Sequence, residues 1–210
     1  MRTRILLADD HLVVRQGTRV LLEKEGFEIV AEAGDGQAAL RSAQGRCPDV
    51  AILDFAMPRL NGLDAARAIL RACPGTKAIL LTVQVDLPYV VAALQAGVTG
   101  FVVKTQAVGD LVQAINDVLN GKVYLGSGIS ETEVSTRLKT AEVPEDPLSP
   151  RDHEILHLIA EGKSTKDVAR LLGISVKTAE YHRTRIMKKI DVHDTAGLVR
   201  YALRHGLIEP

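Results

Sequence analysis

The stretch ILDFAMPRLNG, residues 52–62, ends a short apolar run on a single carboxylate, Asp54, and turns at once through Pro58. A buried strand tipped with an acid is costly unless something pairs or uses that acid. Working outward, four more short apolar runs precede or follow it: RILLA (4–8), EIVAE (28–32), KAILLT (77–82) and GFVV (100–103). Between the runs lie segments with helical spacing, among them GLDAARAILRA and VGDLVQAINDVLN. Strand–helix alternation repeated along residues 1–121 predicts a parallel sheet with helices on both faces. Right-handed crossovers then make one compact α/β layer structure.

The pattern fails over 122–147, which is acidic and richer in Ser, Thr, Gly, Glu and Pro. Its first part can carry a short helix, and 138–147 reads as a linker. From Leu148 to the end the spacing is helical throughout. The 210 residues therefore divide into an α/β block at 1–121, a linker at 122–147 and an all-α block at 148–210.

Composition is that of an ordinary globular chain: 46% apolar, 25% charged, net charge zero. The zero hides a gradient. Residues 148–210 hold 11 basic against 8 acidic side chains, so only this block is suited to a polyanion. Two cysteines, Cys47 and Cys73, are too few for a disulfide framework and point to a reducing, cytoplasmic compartment. The start lacks the length of a signal peptide, and no run approaches a membrane span.

Ligands of open parallel sheets collect beyond the carboxyl ends of the strands. The residues found there are Asp9 and Asp10 after the first strand, Asp54 after the third, Thr82 at the fourth and Lys104 after the fifth. Singly, each has a plain structural reading: Asp10 as a helix cap, Asp54 as a turn residue, Lys104 as a solvated cation. Together, three carboxylates invite a hard divalent cation such as Mg²⁺, while a hydroxyl and an ammonium stand ready for phosphoryl oxygens. Those are the parts for phosphoryl transfer onto a carboxylate.

In order and spacing, ADD, DFAMPRLNG, LTV and GFVVK resemble the receiver domain of two-component response regulators. The resemblance implies a flavodoxin-like sheet of order 2-1-3-4-5. It makes Asp54 the phosphoacceptor, and Asp9, Asp10, Asp54 and the Ala56 carbonyl the Mg²⁺ site. It also makes Thr82 and Lys104 the phosphate-sensing pair, and Phe101 an aromatic switch that swings inward when Thr82 is drawn to the phosphoryl group. Val83 departs from the Ala usual in this family, and its β-branch narrows access to Asp54.

In the last block, Ser164-x-x-Asp167 has capping-box spacing, Gly173 closes that helix, and Ser175 can cap the next. On the second helix Val176, Ala179, Ile186, Met187 and Ile190 fall on one side, the expected core face. Lys177, Glu180, Tyr181, Thr184 and Lys188 fall on the other, with Arg185 flanking them. Residues 176–190 hold five basic side chains against one acid. A generic helix with this pattern is simply solvated; after a capped helix and a Gly turn it reads as a recognition helix.

This block resembles the LuxR-type helix-turn-helix, and with the receiver it points to the NarL/FixJ family of response regulators. By position, Glu180, Tyr181 and Thr184 resemble base readers. Ser164, Thr165, Lys166, Lys177, Thr178, Arg185 and Lys188 resemble phosphate contacts. The resemblance implies a regulator phosphorylated by a sensor histidine kinase and binding double-stranded DNA as a homodimer, with the last helix, LVRYALRHG, at the DNA-bound dimer interface. It implies no enzyme beyond self-phosphorylation and self-dephosphorylation. Val83 motivates an alternative, a DNA-binding regulator controlled by a protein partner without phosphorylation. A Mg²⁺-dependent aspartyl-phosphate phosphatase is disfavoured, because Ala56 stands where such enzymes place a second acid. Gly197 inside the last helix is expected to cost about 1 kcal/mol relative to Ala.

Overall fold

The computed structural model describes residues 2–83, 87–104, 108–140, 148–205 and 207–208. Its backbone falls into two compact units, Met1–Val143 and Pro144–Pro210. Part of the expected linker, 141–147, lies outside the described residues.

The first unit alternates strand and helix: β1 (Arg4–Ala8), α1 (Leu12–Lys24), β2 (Glu28–Ala33), α2 (Gly36–Arg46), β3 (Val50–Asp54), α3 (Gly62–Ala72), β4 (Lys77–Thr82), α4 (Leu87–Gln95), β5 (Gly100–Val103) and α5 (Val108–Leu119). Among the described residues all strand pairings are parallel, in the order β2-β1-β3-β4-β5, with one further strand beside β5. The order reverses between β1 and β3, which opens a crevice at their carboxyl ends. Ile5, Leu7, Ile52, Ile79 and Val102 point to one face and pack with Leu22, Leu111, Ile115 and Val118. Each such side chain contributes roughly 1.5–3 kcal/mol over its exposed state.

The sixth strand, β6 (Tyr124–Leu125), was not expected from the sequence. It is an edge strand of two residues, held where the Tyr124 and Gly126 N–H groups donate to the Thr99 and Phe101 carbonyls at 2.8 Å each. The short helix expected in the first part of 122–147 is present as α6 (Glu131–Thr140), and it runs on through 138–140, which the sequence reads as linker, because the helical turns continue to Thr140. Val134 is buried where α6 meets α4, so the first half of the linker folds as part of the first unit.

The two cysteines are bonded to each other, contrary to the free thiols of a reducing compartment. Cys47 ends α2 and Cys73 ends α3; the helices lie side by side, and the Cα atoms are 5.4 Å apart. Two cysteines too few for a framework are enough for one staple between neighbouring helix ends. Among the described residues no helix is long and apolar enough to cross a membrane.

Among its described residues the second unit holds four helices: α7 (Pro150–Ala160), α8 (Thr165–Leu172), α9 (Val176–Lys189) and α10 (Thr195–Arg204). Each begins on a side-chain cap: Ser149, Ser164, Ser175 and Asp194. Gly173, in the left-handed region, closes α8. Ile155, Leu156, Val168, Ala169, Ala179, Ile186, Leu198 and Ala202 form the core. Val176, expected in that core, is 41% exposed at the first position of α9. Gly197 is buried, and a methyl group there would come within 2.9 Å of the Val192 Cβ. Packing therefore demands glycine, and the expected gain from Ala does not apply.

Candidate functional site

The acid pocket is built by chain ends that the sheet brings together. β1 delivers Asp9 and Asp10, its neighbour β3 ends on Asp54, and β4 ends on Thr82. Lys104 follows β5 and donates its N–H to the Thr82 carbonyl at 2.8 Å. The turn after Asp54 is closed by the Gly62 N–H on the Phe55 carbonyl, and Asn61 caps α3 by accepting from the Asp64 N–H at 2.8 Å. Gly62 is required there, since a Cβ would sit 2.2 Å from the Asp54 carbonyl oxygen.

Asp9 and Asp54 are each 1% exposed, and Thr82 is buried. The Lys104 ammonium lies 3.0 Å from Asp54 Oδ2 and 3.2 Å from Asp9 Oδ2. Asp54 Oδ1 accepts from the Ala56 N–H at 3.3 Å, and Asp9 Oδ1 from the His11 N–H at 2.8 Å. Burial pushes the Asp54 carboxyl up to about 7; Lys104 opposes this and Asp9 adds to it. Ligand atoms of Asp9, Asp10, His11 and Asp54 all lie within 4.8 Å of one another. Asp9 Oδ2, Asp10 Oδ1 and Asp54 Oδ2 are buried yet form no well-aligned hydrogen bond among the described residues. Three carboxylates this close together, with one ammonium shared between two of them, suit a hard divalent cation. The sequence reading did not include His11, whose Nδ1 lies 3.0 Å from Asp10 Oδ1. Its signal was adjacency alone, one residue past the strand-tip acids.

Phe101 is already buried, at 3% exposure, on β5. Beside the acid, Phe55 meets Tyr89 of α4 edge to face, with ring centroids 5.3 Å apart. Val83 is half-buried at the end of β4.

In the second unit, Lys177, Thr178, Glu180, Tyr181, Thr184 and Lys188 are all exposed along α9, and Ser164 and Lys166 are exposed where α8 begins. Ser164 accepts from the Asp167 N–H as the N-cap. Two of the expected phosphate contacts also hydrogen-bond within the protein. Thr165 Oγ1 accepts from Arg183 Nη1 at 3.5 Å. Arg185 Nη2 donates to Asp152 Oδ1 at 2.5 Å, because a buried carboxylate on α7 lies within its reach. His182 lies 3.4 Å from the same oxygen, a packed residue as expected. Arg183 reaches the rim and donates to Thr195 Oγ1 at 2.5 Å.

Residues 5–116 match the response regulator receiver domain, and residues 146–202 match the bacterial regulatory proteins of the luxR family. The chain belongs to the NarL/FixJ family of response regulators. As a member of that family it is a phosphorylation-controlled, DNA-binding transcriptional regulator. This response regulator is 38% identical to the oxygen regulatory protein NreC of Staphylococcus epidermidis, over 98% of this chain and 99% of that protein. It is 35% identical to the transcriptional regulatory protein MctR of Rhizobium johnstonii, over 99% and 96%. Among solved structures it is similar to RcsB of Salmonella enterica serovar Typhimurium bound to promoter P1flhDC with the phosphomimetic BeF₃⁻. That likeness has a TM-score of 0.63 and 27% identity, covering 97% of this chain and 99% of that one.

Proposed function

We propose that Asp54 is the phosphoacceptor of this response regulator and that a sensor histidine kinase is the donor. The pocket geometry carries this reading: one buried carboxylate paired to Lys104, with two further acids beside it. Asp10, Asp54 and the Ala56 carbonyl would hold Mg²⁺, with Asp9 beside them, and the bound ion would supply charge neutralisation for the phosphoryl oxygens. Thr82 and Lys104 sense the new phosphate charge, and Phe101 and the α4 side of the sheet answer it. Residues 1–121 form the receiver, 122–147 a connection whose first part packs on it, and 148–210 the DNA-binding domain.

Lys177, Thr178, Lys188, Ser164 and Lys166 anchor α8 and α9 to phosphates, while Glu180, Tyr181 and Thr184 read base edges. Thr165 belongs to the same surface through Arg183. Exposed Val13 and Val20 on α1, and half-buried Val199 and Leu203 on α10, supply apolar surface that pairing into a homodimer covers. Binding to the chromosome places its action in the cytoplasm, where the Cys47–Cys73 bond is open to reduction.

The test is DNA affinity of the full chain, measured on a random-sequence duplex pool before and after acetyl phosphate treatment. Affinity changes for the native chain and not for Asp54→Asn. Equal responses from the two chains favour control by a protein partner, the reading that Val83 motivates.

A further inference from the structure

Asp152 is an acid without exposure: its side chain is completely buried in the first turn of α7, outside the helix-turn-helix proper. Three basic side chains of α9 converge on it. Arg185 Nη2 lies 2.5 Å from Oδ1, Lys189 Nζ lies 2.9 Å from Oδ2, and His182 Nδ1 lies 3.4 Å from Oδ1. Its Oδ2 also accepts from the Ser149 N–H at 3.1 Å, and its own N–H donates to Ser149 Oγ at 3.2 Å. One carboxylate thus completes the cap of α7 and anchors α9.

Positions 182, 185 and 189 share one face of α9. At 3.6 residues per turn that face lies about a third of a turn from the stripe of Lys177, Tyr181, Thr184 and Lys188. We infer that Asp152 is a positioning residue for DNA recognition: by holding Arg185 and Lys189, it fixes the rotation of α9 and withholds two cations from the phosphate backbone. The inference rests on the reading of α9 as the recognition helix and sharpens it. A cation already balanced by a desolvated anion releases few counterions when DNA arrives, so it adds little to the salt dependence of binding. An α9 free to rotate would present basic side chains from two faces, and binding would gain backbone contacts while losing base discrimination. The Arg185 guanidinium also stands 5.9 Å from the Tyr181 ring centroid, so the anchor braces one of the proposed base readers directly.

The test uses the full chain and a pool of random-sequence duplexes. Affinity is followed against salt, and the bound fraction is sequenced. Arg185→Ala and Lys189→Ala keep the native salt slope, whereas Lys188→Ala flattens it by about 0.9, one phosphate contact. Asp152→Asn and Asp152→Ala steepen the slope and blur the enriched sequence, and Asp152→Glu restores both. The inference is overturned if Arg185→Ala or Lys189→Ala flattens the slope as Lys188→Ala does, or if the Asp152 variants bind with native slope and native sequence preference. Should the Asp152 variants fail to fold, the two surface substitutions alone decide. Absence of salt-dependent binding by the native chain would instead refute the recognition-helix reading itself.

Discussion

Lys104 and Asp54 meet across the end of the sheet, Nζ to Oδ2 at 3.0 Å, with Asp9 touching the same ammonium from the other side. One cation between two buried acids leaves the pocket short of positive charge, a deficit that the proposed Mg²⁺ would fill. The Asp54 carboxyl, pushed up to about 7, holds a proton in the folded metal-free protein between about pH 4 and pH 7, where the unfolded chain has already lost it. The sign follows: metal-free stability falls as pH rises through that window. Urea unfolding in chelator at both ends of the window checks it. Mg²⁺ must displace the same proton, so its affinity rises with pH and levels off above about 7. Calorimetric titration in buffers of different ionisation enthalpy reads the proton release.

Replacing Lys104 by Met strands Asp9 and Asp54 without their ammonium. Breaking a buried pair on one side costs on the order of 3 kcal/mol. The loss appears in the unfolding midpoint of the first unit without metal, and millimolar Mg²⁺ recovers part of it. An unchanged midpoint would mean that the ammonium contributes nothing to the pocket.

Two glycines answer to packing. At Gly62 a methyl group would lie 2.2 Å from the Asp54 carbonyl oxygen, which cannot yield without moving the strand tip. Gly62→Ala therefore destabilises by about 3 kcal/mol and displaces the acid. Gly197→Ala, favourable by helix propensity, destabilises by about 1–2 kcal/mol because the Val192 Cβ is in the way. Thermal unfolding of each variant gives the sign, and a more stable Gly197→Ala would contradict the packing account.

The Cys47–Cys73 bond encloses β3, Asp54 and α3 in one covalent loop, with 26 residues of separation. Closing a loop of this length stabilises by about 3 kcal/mol. A dithiol reductant lowers the midpoint of the first unit accordingly, and Cys73→Ser removes the response.

Much of this was legible in the sequence because strand tips in a parallel sheet carry a ligand site whatever the loops do. Asp9, Asp10, Asp54 and Lys104 could be placed together before any coordinates. The strand β6 was not legible: two residues of an edge strand have no periodicity. Nor was the role of Asp152, since its Ser-x-x-Asp spacing announces a helix cap and says nothing of a helix some thirty residues later. For the same reason a helical wheel set Val176 in the core and could not show that Arg185 meets Asp152. A wheel gives direction around the axis, and only the neighbouring helices decide what lies in that direction. Gly197 illustrates the same limit, because propensity describes an isolated helix and the Val192 contact is tertiary.

The measurement that bears most directly on the pocket is the intact mass of the full chain after incubation with acetyl phosphate and Mg²⁺. The expected result is the gain of one phosphoryl group, absent in Asp54→Asn and absent when the metal is chelated. An unmodified native chain, or equal modification of Asp54→Asn, would contradict the assignment of Asp54 as the acceptor.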